Sequence, residues 1–313
     1  MKQKYHLRNW SEYDRGLKQR GSLTFWLSEE VLSNWILTEK SGTRGADNYF
    51  SDQAILTFVM VKSLFSLAGR QTEGFLESLF VLMGIDLPVP DHTTVSRRAK
   101  NLDVVLPVNK RDEPRHVVVD STGVKVYGEG EWKTRQHGVS KRRTWRKLHL
   151  AVDEKTGKIL VAEVTTNNCH DGDVLESLLE AVEGEIEQVS GDGAYDRAAP
   201  ELRSDQRKCY RAIAKRGAMA TILPQNNAQK WSDIDGDRNR NIEKIEEIGR
   251  KEWKEESGYN RRSISETTMF RLKTIFGGKL SSRDFDNQAV ELFVKCLLLN
   301  KMIQIAKPDS YIV

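Results

Sequence analysis

The sequence predicts a mixed α/β protein preceded by an all-helical region, and three observations carry that reading. Residues 1 to about 105 hold apolar runs at helical spacing, separated by capping residues and Gly- or Pro-containing breaks. From His116 onward the pattern changes to β-branched runs and apolar/polar alternation. Helix and strand signals then alternate until a late stretch, Tyr259 to Lys273, whose polar groups align on one helical stripe.

Lys2, Lys4, Arg8, Arg15, Lys18 and Arg20 accompany Trp10, Trp26 and Trp35 in a basic, tryptophan-rich start. Two short helices are expected there, the second opened by Ser28 with Glu29 and Glu30 in its first turn. After SGTRGADNYFS, a strongly apolar helix is predicted from Asp52 through Ala68, and another from Thr72 through Met83. PVPDHTTVSRRAKNL reads as a loop followed by a short helix opening at Asp91 or Thr93, with Arg97, Arg98 and Lys100 on its exposed face. The loop LPVNKRDEPRH closes the helical region.

HVVVD is a buried-strand run ending in Asp120, and STGVKVYG alternates as a neighbouring antiparallel strand would. KLHLAVDEKTGKILVAEVTT predicts two strands around a turn at Glu154 to Gly157. Asp173 is expected to cap a helix with Glu176 in capping-box position. Strand EQVSGD, a helix from Pro200 to Arg207, strand YRAIAKR and a short run ATILP follow. The charged segment Asn239 to Glu256 reads as an exposed helix, and an amphipathic helix over Asn287 to Ile305 ends the pattern. Consecutive strands, alternating helix and strand, then a late helix: this is the ribonuclease H order, a ribonuclease H-like mixed sheet.

Composition sets the class. The chain has 313 residues, 38% hydrophobic and 30% charged, with a formal net charge of +4, which is a globular rather than a disordered composition. Cys169, Cys209 and Cys296 have neither metal-ligand spacing nor a disulfide framework, which points to a reducing, cytoplasmic setting and three small core residues. MKQKYHLRNW lacks the apolar core of a signal peptide, and the apolar stretch Ala54 to Ala68 is interrupted by Lys62 and too short to span a bilayer. No membrane association is expected.

The candidate chemistry starts from the late helix. At 100° per residue, Tyr259, Arg262, Glu266 and Lys273 fall in a stripe about 60° wide, while Ile264, Met269, Leu272 and Ile275 fall on the far side. A carboxylate ringed by cations and a phenol suits metal ions and phosphates. Asp120 and Asp192, at the ends of adjacent strands and beside the small residues of DSTG and GDGAYD, would supply two more acids. Such a triad can hold two Mg²⁺ or Mn²⁺ ions, roughly 3.5–4 Å apart, for in-line displacement at phosphorus. Each acid alone could equally be a turn or surface residue; the alignment around Glu266 favours the site.

Residues 133–147, KTRQHGVSKRRTWRK, contain seven Lys or Arg and no acid. Lys141, Arg142, Arg143 and Arg146 would track phosphates there, with Trp145 available to stack on a base. His137 in that loop and His149 in a strand carry no special assignment, and His149 is expected to be a satisfied, half-buried residue. DIDGDRNRN at 233–241 mimics a calcium loop, but Arg238 stands where glycine is needed and Lys244 where glutamate is needed. In NCHDGDVLE, Asp171 and Asp173 are explained as helix-start residues.

The pattern Tyr, two residues, Arg, three residues, Glu, six residues, Lys, met in full by Tyr259, Arg262, Glu266 and Lys273, resembles the signature around the third acid of bacterial insertion-sequence DDE transposases. It is shared by the insertion-sequence-four and insertion-sequence-five groups. DSTGVKVYGEGEW, RRTWRKLHLAVD and SGDGAYD resemble the surroundings of the first two acids in the latter group, and NWSEYDRGLKQRGSLTFW and LPVPDHTTVSRRAKNL its N-terminal region. The resemblance implies a triad of Asp120, Asp192 and Glu266 holding two Mg²⁺ or Mn²⁺ ions, with Tyr259, Arg262 and Lys273 gripping phosphates. It implies an N-terminal helical DNA-binding region over 1–112, a catalytic domain over 113–306 with a short insertion at about 225–257, and a tail over 307–313. Expected partners are double-stranded DNA, both terminal inverted repeats and target, and a second copy in the DNA complex, in a cytoplasmic, nucleoid-associated setting. A purely hydrolytic nuclease of the same fold and a catalytically silent DNA-binding regulator are the alternatives.

Overall fold

The computed structural model describes residues 5–38, 48–108, 111–126, 145–196, 207–232 and 236–312. Two compact units divide the chain: Met1–Val105 together with Ser282–Val313, and Leu106–Ser281.

In the first unit, strand β1 (Tyr5–Leu7) precedes α1 (Trp10–Arg20), α2 (Leu23–Trp26) and α3 (Glu29–Ser33). The Ser28 hydroxyl accepts from the Val31 amide, as its position before two glutamates predicts. Trp26 and Trp35 are core residues rather than part of a displayed basic face. Each indole N–H finds a carbonyl, that of Arg20 at 2.9 Å and that of Pro88 at 2.8 Å. Helix α4 (Asp52–Leu64) is capped by Ser51 and α5 starts at Gly69, running to Met83. The expected boundaries at Ala68 and Thr72 are therefore corrected. Ser66 takes a left-handed φ of 53°, which ends α4 early, and the Gln71 side chain accepts from the Ala68 amide at 3.0 Å, which starts α5 early. Helix α6 (His92–Ala99) is capped by Asp91, whose carboxylate accepts from Thr93 and Thr94 amides.

The second unit is built on β2 (Arg115–Val126), β3 (Trp145–Asp153) and β4 (Ile159–Thr166), an antiparallel meander. HVVVD and STGVKV form one twelve-residue strand rather than two neighbours, so Asp120 lies mid-strand and β3 is its antiparallel partner. Helix α7 (Asp171–Ala181) begins two residues before Asp173, with His170 in the capping position. Strand β5 (Ile186–Gly191) then returns parallel to β2, α8 spans Arg207–Lys215, and β6 (Met219–Ile222) runs parallel to β5. The expected strand YRAIAKR is thus helical. Its buried residues Cys209, Tyr210, Ala212 and Ile213 recur at helical spacing and close over the sheet.

Helices α9 (Asp237–Ile248) and α10 (Arg250–Glu256) meet at Gly249, whose φ of 88° suits glycine. They are less exposed than expected, because Ile242 and Trp253 are buried. A 3₁₀ turn over Tyr259–Arg262 leads into α11 (Ser263–Phe276), and β7 (Lys279–Leu280) adds to the far end of β2. The sheet order is β4-β3-β2-β5-β6. Val117, Val119, Val189, Leu175, Leu179 and Ile213 form the core on the α7/α8 face.

The chain then returns to the first unit as α12 (Phe285–Ile305) and β8 (Ser310–Ile312), the latter antiparallel to β1. Compactness therefore groups the last helix with the N-terminal helices, whereas the sequence reading places it with the sheet. Nor is α12 amphipathic: it is buried around most of its circumference, with the Glu291–Lys295 ion pair at 2.9 Å inside. Both α4 and α12 are apolar on nearly all sides, and they pack on each other.

The second unit should weaken on acidification. Burial is the main cause that lowers His116 and His149 to a pKa of about 4, from 6.5. Unfolding releases each ring to water, where it takes up a proton more readily. Stability is thus fully present above about pH 6.5 and is lost as pH falls toward about 4, each ring contributing on the order of a few kcal/mol. Thermal denaturation between pH 7 and 4 checks this, and His149→Asn should flatten the slope.

Candidate active site

Strand β2 carries Asp120 and Thr122 on the face covered by α11, while Val117 and Val119 point to the core on the other face. The parallel register of β2 and β5 pairs Val118 with Ser190, so Asp120 and Asp192 each stand two residues beyond one aligned pair. The Asp192 charge raises the Asp120 pKa, as two neighbouring carboxylates should. Burial is the larger cause of that rise, and hydrogen bonds from the Ser121 amide at 2.8 Å and the Ser265 hydroxyl at 3.0 Å oppose it.

Arg262 links the third acid to the first. One guanidinium nitrogen lies 2.6 Å from Glu266 Oε1 and another 3.5 Å from Asp120 Oδ2. Ser265 bonds the same Asp120 oxygen, and Lys273 Nζ donates to Thr122 Oγ1 at 2.6 Å. Residues about 140 positions apart in sequence thus meet over a few ångströms. Glu266 itself remains 59% exposed, so its free oxygen faces solvent.

Tyr259 departs from the expected stripe. It belongs to the 3₁₀ turn, is buried, and packs on Trp253 with ring centroids 5.5 Å apart. Its ring lies 5.7 Å from the Arg262 guanidinium carbon and its hydroxyl is hydrogen-bonded with the Arg262 side chain, so it braces Arg262 from a buried position. The far side of α11 also differs in part: Met269 and Leu272 are buried, but Ile275 is 39% exposed.

Of the other sequence candidates, Trp145 lies over Gly123 of β2, with Lys125 Nζ 5.5 Å from its ring, so it is half-buried against the sheet. Arg146 pairs in register with Val124, on the Asp120 face. Lys141, Arg142 and Arg143, like His137, lie outside the described residues. In the first unit Arg97 is exposed on α6, whereas Arg98 is not displayed. Its guanidinium bonds the Asp52 carboxylate and the Phe50 carbonyl at the start of α4.

Sequence reasoning missed the partners. Ser265 and Thr122 both touch the site, and strand alternation could have found Thr122, two residues after Asp120. Asp171 is more than a helix-start residue: its carboxylate is 2.8 Å from Lys147 Nζ. Burial pushes it up, yet hydrogen bonds from Lys147 and Ser121 outweigh that and hold it below the usual range. The buried Tyr195 phenol is pushed far up, first by burial and then by the charges of Asp171, Asp120 and Asp192. His149 is fully buried rather than half-buried, its Nε2 2.9 Å from Thr165 Oγ1.

The donor chemistry suits hard divalent cations, since Asp120, Asp192 and Glu266 offer only carboxylate oxygens. The present side-chain arrangement, however, is not a closed metal cage. Among the described residues no three acidic, imidazole or thiolate groups converge on one metal-sized point. Glu266 is turned to Arg262, whose guanidinium supplies positive charge between two of the three acids.

A mixed sheet in this order, with one acid on a central strand, a second just past the end of the neighbouring strand and a glutamate from a late helix, is consistent with the ribonuclease H-like class. Two comparisons go further. Residues 18–129 and residues 111–301 each match a family described as a transposase DDE domain, the second over more than half of the chain. The chain belongs to the DDE transposase family.

Proposed function

We propose that this transposase, of the insertion-sequence-five group, binds the terminal inverted repeats of its own element, cuts the DNA there and joins the freed 3′ end to target DNA. The observation that carries this reading is the single guanidinium, Arg262, shared by Asp120 and Glu266 from opposite ends of the second unit. Members of this family use divalent metal ions. When bound, a pair of Mg²⁺ or Mn²⁺ ions supplies a more acidic attacking oxygen and charge compensation for the leaving one.

Asp120, Asp192 and Glu266 would hold such ions through their carboxylate oxygens. Arg262 and Lys273 would bind the phosphates flanking the cut, with Tyr259 setting the position of Arg262. Arg146, with Lys141, Arg142, Arg143 and Trp145, follows the DNA away from the cut, and the first unit, through Arg97 and its neighbours, recognises the repeat. Both ends are processed together by a dimer assembled on DNA.

Pre-cut ends mixed with a target plasmid and Mg²⁺ test the reading. Joined product is expected; hydrolysis without joining would make the protein a nuclease, and binding without either would make it a regulator. Arg262→Ala should weaken end binding and lower its salt dependence by about one phosphate contact's worth of slope. An unchanged slope would remove Arg262 from the phosphate grip. No single helix among the described residues is long and apolar enough to cross a membrane.

A further inference from the structure

A cavity of about 240 Å³ lies within the second unit at the start of β2, where Arg111, Arg115 and Lys158 line it together with the apolar Val108, Ile159 and Leu160. Arg115 opens β2 and precedes Asp120 by roughly 16 Å of extended strand. Donors exceed acceptors there. Asp153, buried behind the arginines, is already committed: its Oδ1 accepts from the Thr156 amide and hydroxyl at 2.8 and 3.0 Å, and its Oδ2 from Arg115 at 2.8 Å. Arg111 gives one N–H to the Pro114 carbonyl at 2.9 Å, but its Nε and Nη1 are buried and make no hydrogen bond among the described residues. The carboxylate oxygens facing them stand 3.6 Å away on Glu113 and 3.5 Å away on Asp153, and Glu113 is itself held by Lys155 at 2.9 Å. None of the described residues lining the cavity is acidic.

A buried guanidinium N–H without an acceptor is costly, and its own neighbours do not supply one. A single water, at ~30 Å³, leaves most of the space unfilled, and an apolar wall gives further waters few partners. A bare phosphate brings the charge but nothing to cover that wall. The space is also smaller than the pockets that take drug-sized ligands. We infer that this cavity binds a small carboxylate with a short apolar tail, its charge on Arg111 and Lys158 and its hydrocarbon against Val108, Ile159 and Leu160. The source is a free organic acid or the terminal carboxylate of a peptide with an apolar last residue. Bound there, it joins residues 107–111 to the first residues of β4. The inference does not depend on the DNA chemistry proposed above.

Thermal denaturation of the full chain tests it, with sodium chloride at equal ionic strength as the reference. Butyrate at about 10 mM should raise the midpoint by about 3 °C, acetate by less, and the uncharged butyramide not at all. Arg111→Gln should abolish the butyrate shift and Lys158→Gln should at least halve it. Each shift is read against the same variant without ligand, so a change in basal stability does not mask the result. A short peptide ending in a free valine carboxylate separates the sources. Stabilisation by it, and not by its amide, assigns the site to a chain terminus; stabilisation by butyrate alone assigns it to a free acid. Inorganic phosphate acting as strongly as butyrate would mean that charge alone is read and would overturn the carboxylate assignment. So would a butyrate shift that survives both substitutions. If no carboxylate moves the midpoint, the open N–H groups belong to water and the site falls, with the DNA-joining assay unaffected.

Discussion

Asp120→Asn is expected to reduce cleavage at the element ends by about a thousandfold or more, with end binding retained. The size follows from losing several kcal/mol of charge stabilisation at the reacting phosphate, at tenfold in rate per 1.36 kcal/mol. The fold should tolerate the change. An asparagine oxygen still accepts from the Ser121 amide, and Ser265 can keep its bond to the Arg262 carbonyl at 2.9 Å while accepting from the new amide. Removing one of two neighbouring carboxylates also relieves their repulsion, and Asp120 is half-buried with its pKa raised chiefly by desolvation. The apo-protein should therefore melt no lower than the wild type. Added Mn²⁺ should stabilise the wild type and not the variant, since a ligand raises stability only where the folded state binds it. Glu266→Gln should behave alike in cleavage. Its effect on melting with Mn²⁺ tells whether Glu266 leaves Arg262 for the cation. Normal cutting by either variant in Mg²⁺ would remove that residue from the active site.

Much of this architecture was legible because its signals are local. Ser28 and Asp91 cap helices where their sequence positions say they should, and the meander over 145–166 follows from alternation around a turn. What failed needed long-range knowledge. HVVVD and STGVKV look like two strands because burial changes at Asp120. In the fold the strand simply runs on, from buried Val119 through half-buried Asp120 to Gly123 and on to buried Val124. YRAIAKR carries β-tolerant residues, yet a helix is the better cover for the sheet. The last helix reads as amphipathic because Glu291 and Lys295 look solvent-seeking, whereas their mutual pairing and the Ser282 amide on Glu291 let both be buried.

The candidate site divides in the same way. The spacing of Tyr259, Arg262, Glu266 and Lys273 pointed to one helix, but the first turn is 3₁₀, which rotates Tyr259 inward onto Trp253. No sequence rule says that Arg262 would hold Asp120 and Glu266 at once, or that Ser265 would bond Asp120. Those contacts depend on where α11 crosses β2, which only the assembled sheet determines.

The loop that carries Asp192 depends on a second, wholly buried ion pair, and breaking it should be the costliest single change outside the core. Asp196 is four residues beyond Asp192, 1% exposed, and bonded to Arg238 Nε at 2.7 Å. The Tyr210 hydroxyl and the Gln225 amide also donate to it, at 3.0 and 3.2 Å. Arg238 in turn reaches the Gln229 carbonyl at 2.7 Å and lies 4.5 Å from the Trp231 ring. Arg238→Ala leaves a buried carboxylate without its cation, which costs about 3–5 kcal/mol. For a unit of this size that corresponds to a midpoint lower by roughly 10 °C. Adding Asp196→Asn to the same chain separates charge from packing. An asparagine oxygen can still accept from either Tyr210 or Gln225, which bond different oxygens of Asp196, and carries no charge to strand, so the double variant should recover part of the loss. If it melts lower than Arg238→Ala instead, the lost stability lies in the packing of the arginine on Trp231, and the carboxylate is not what Arg238 is there to neutralise.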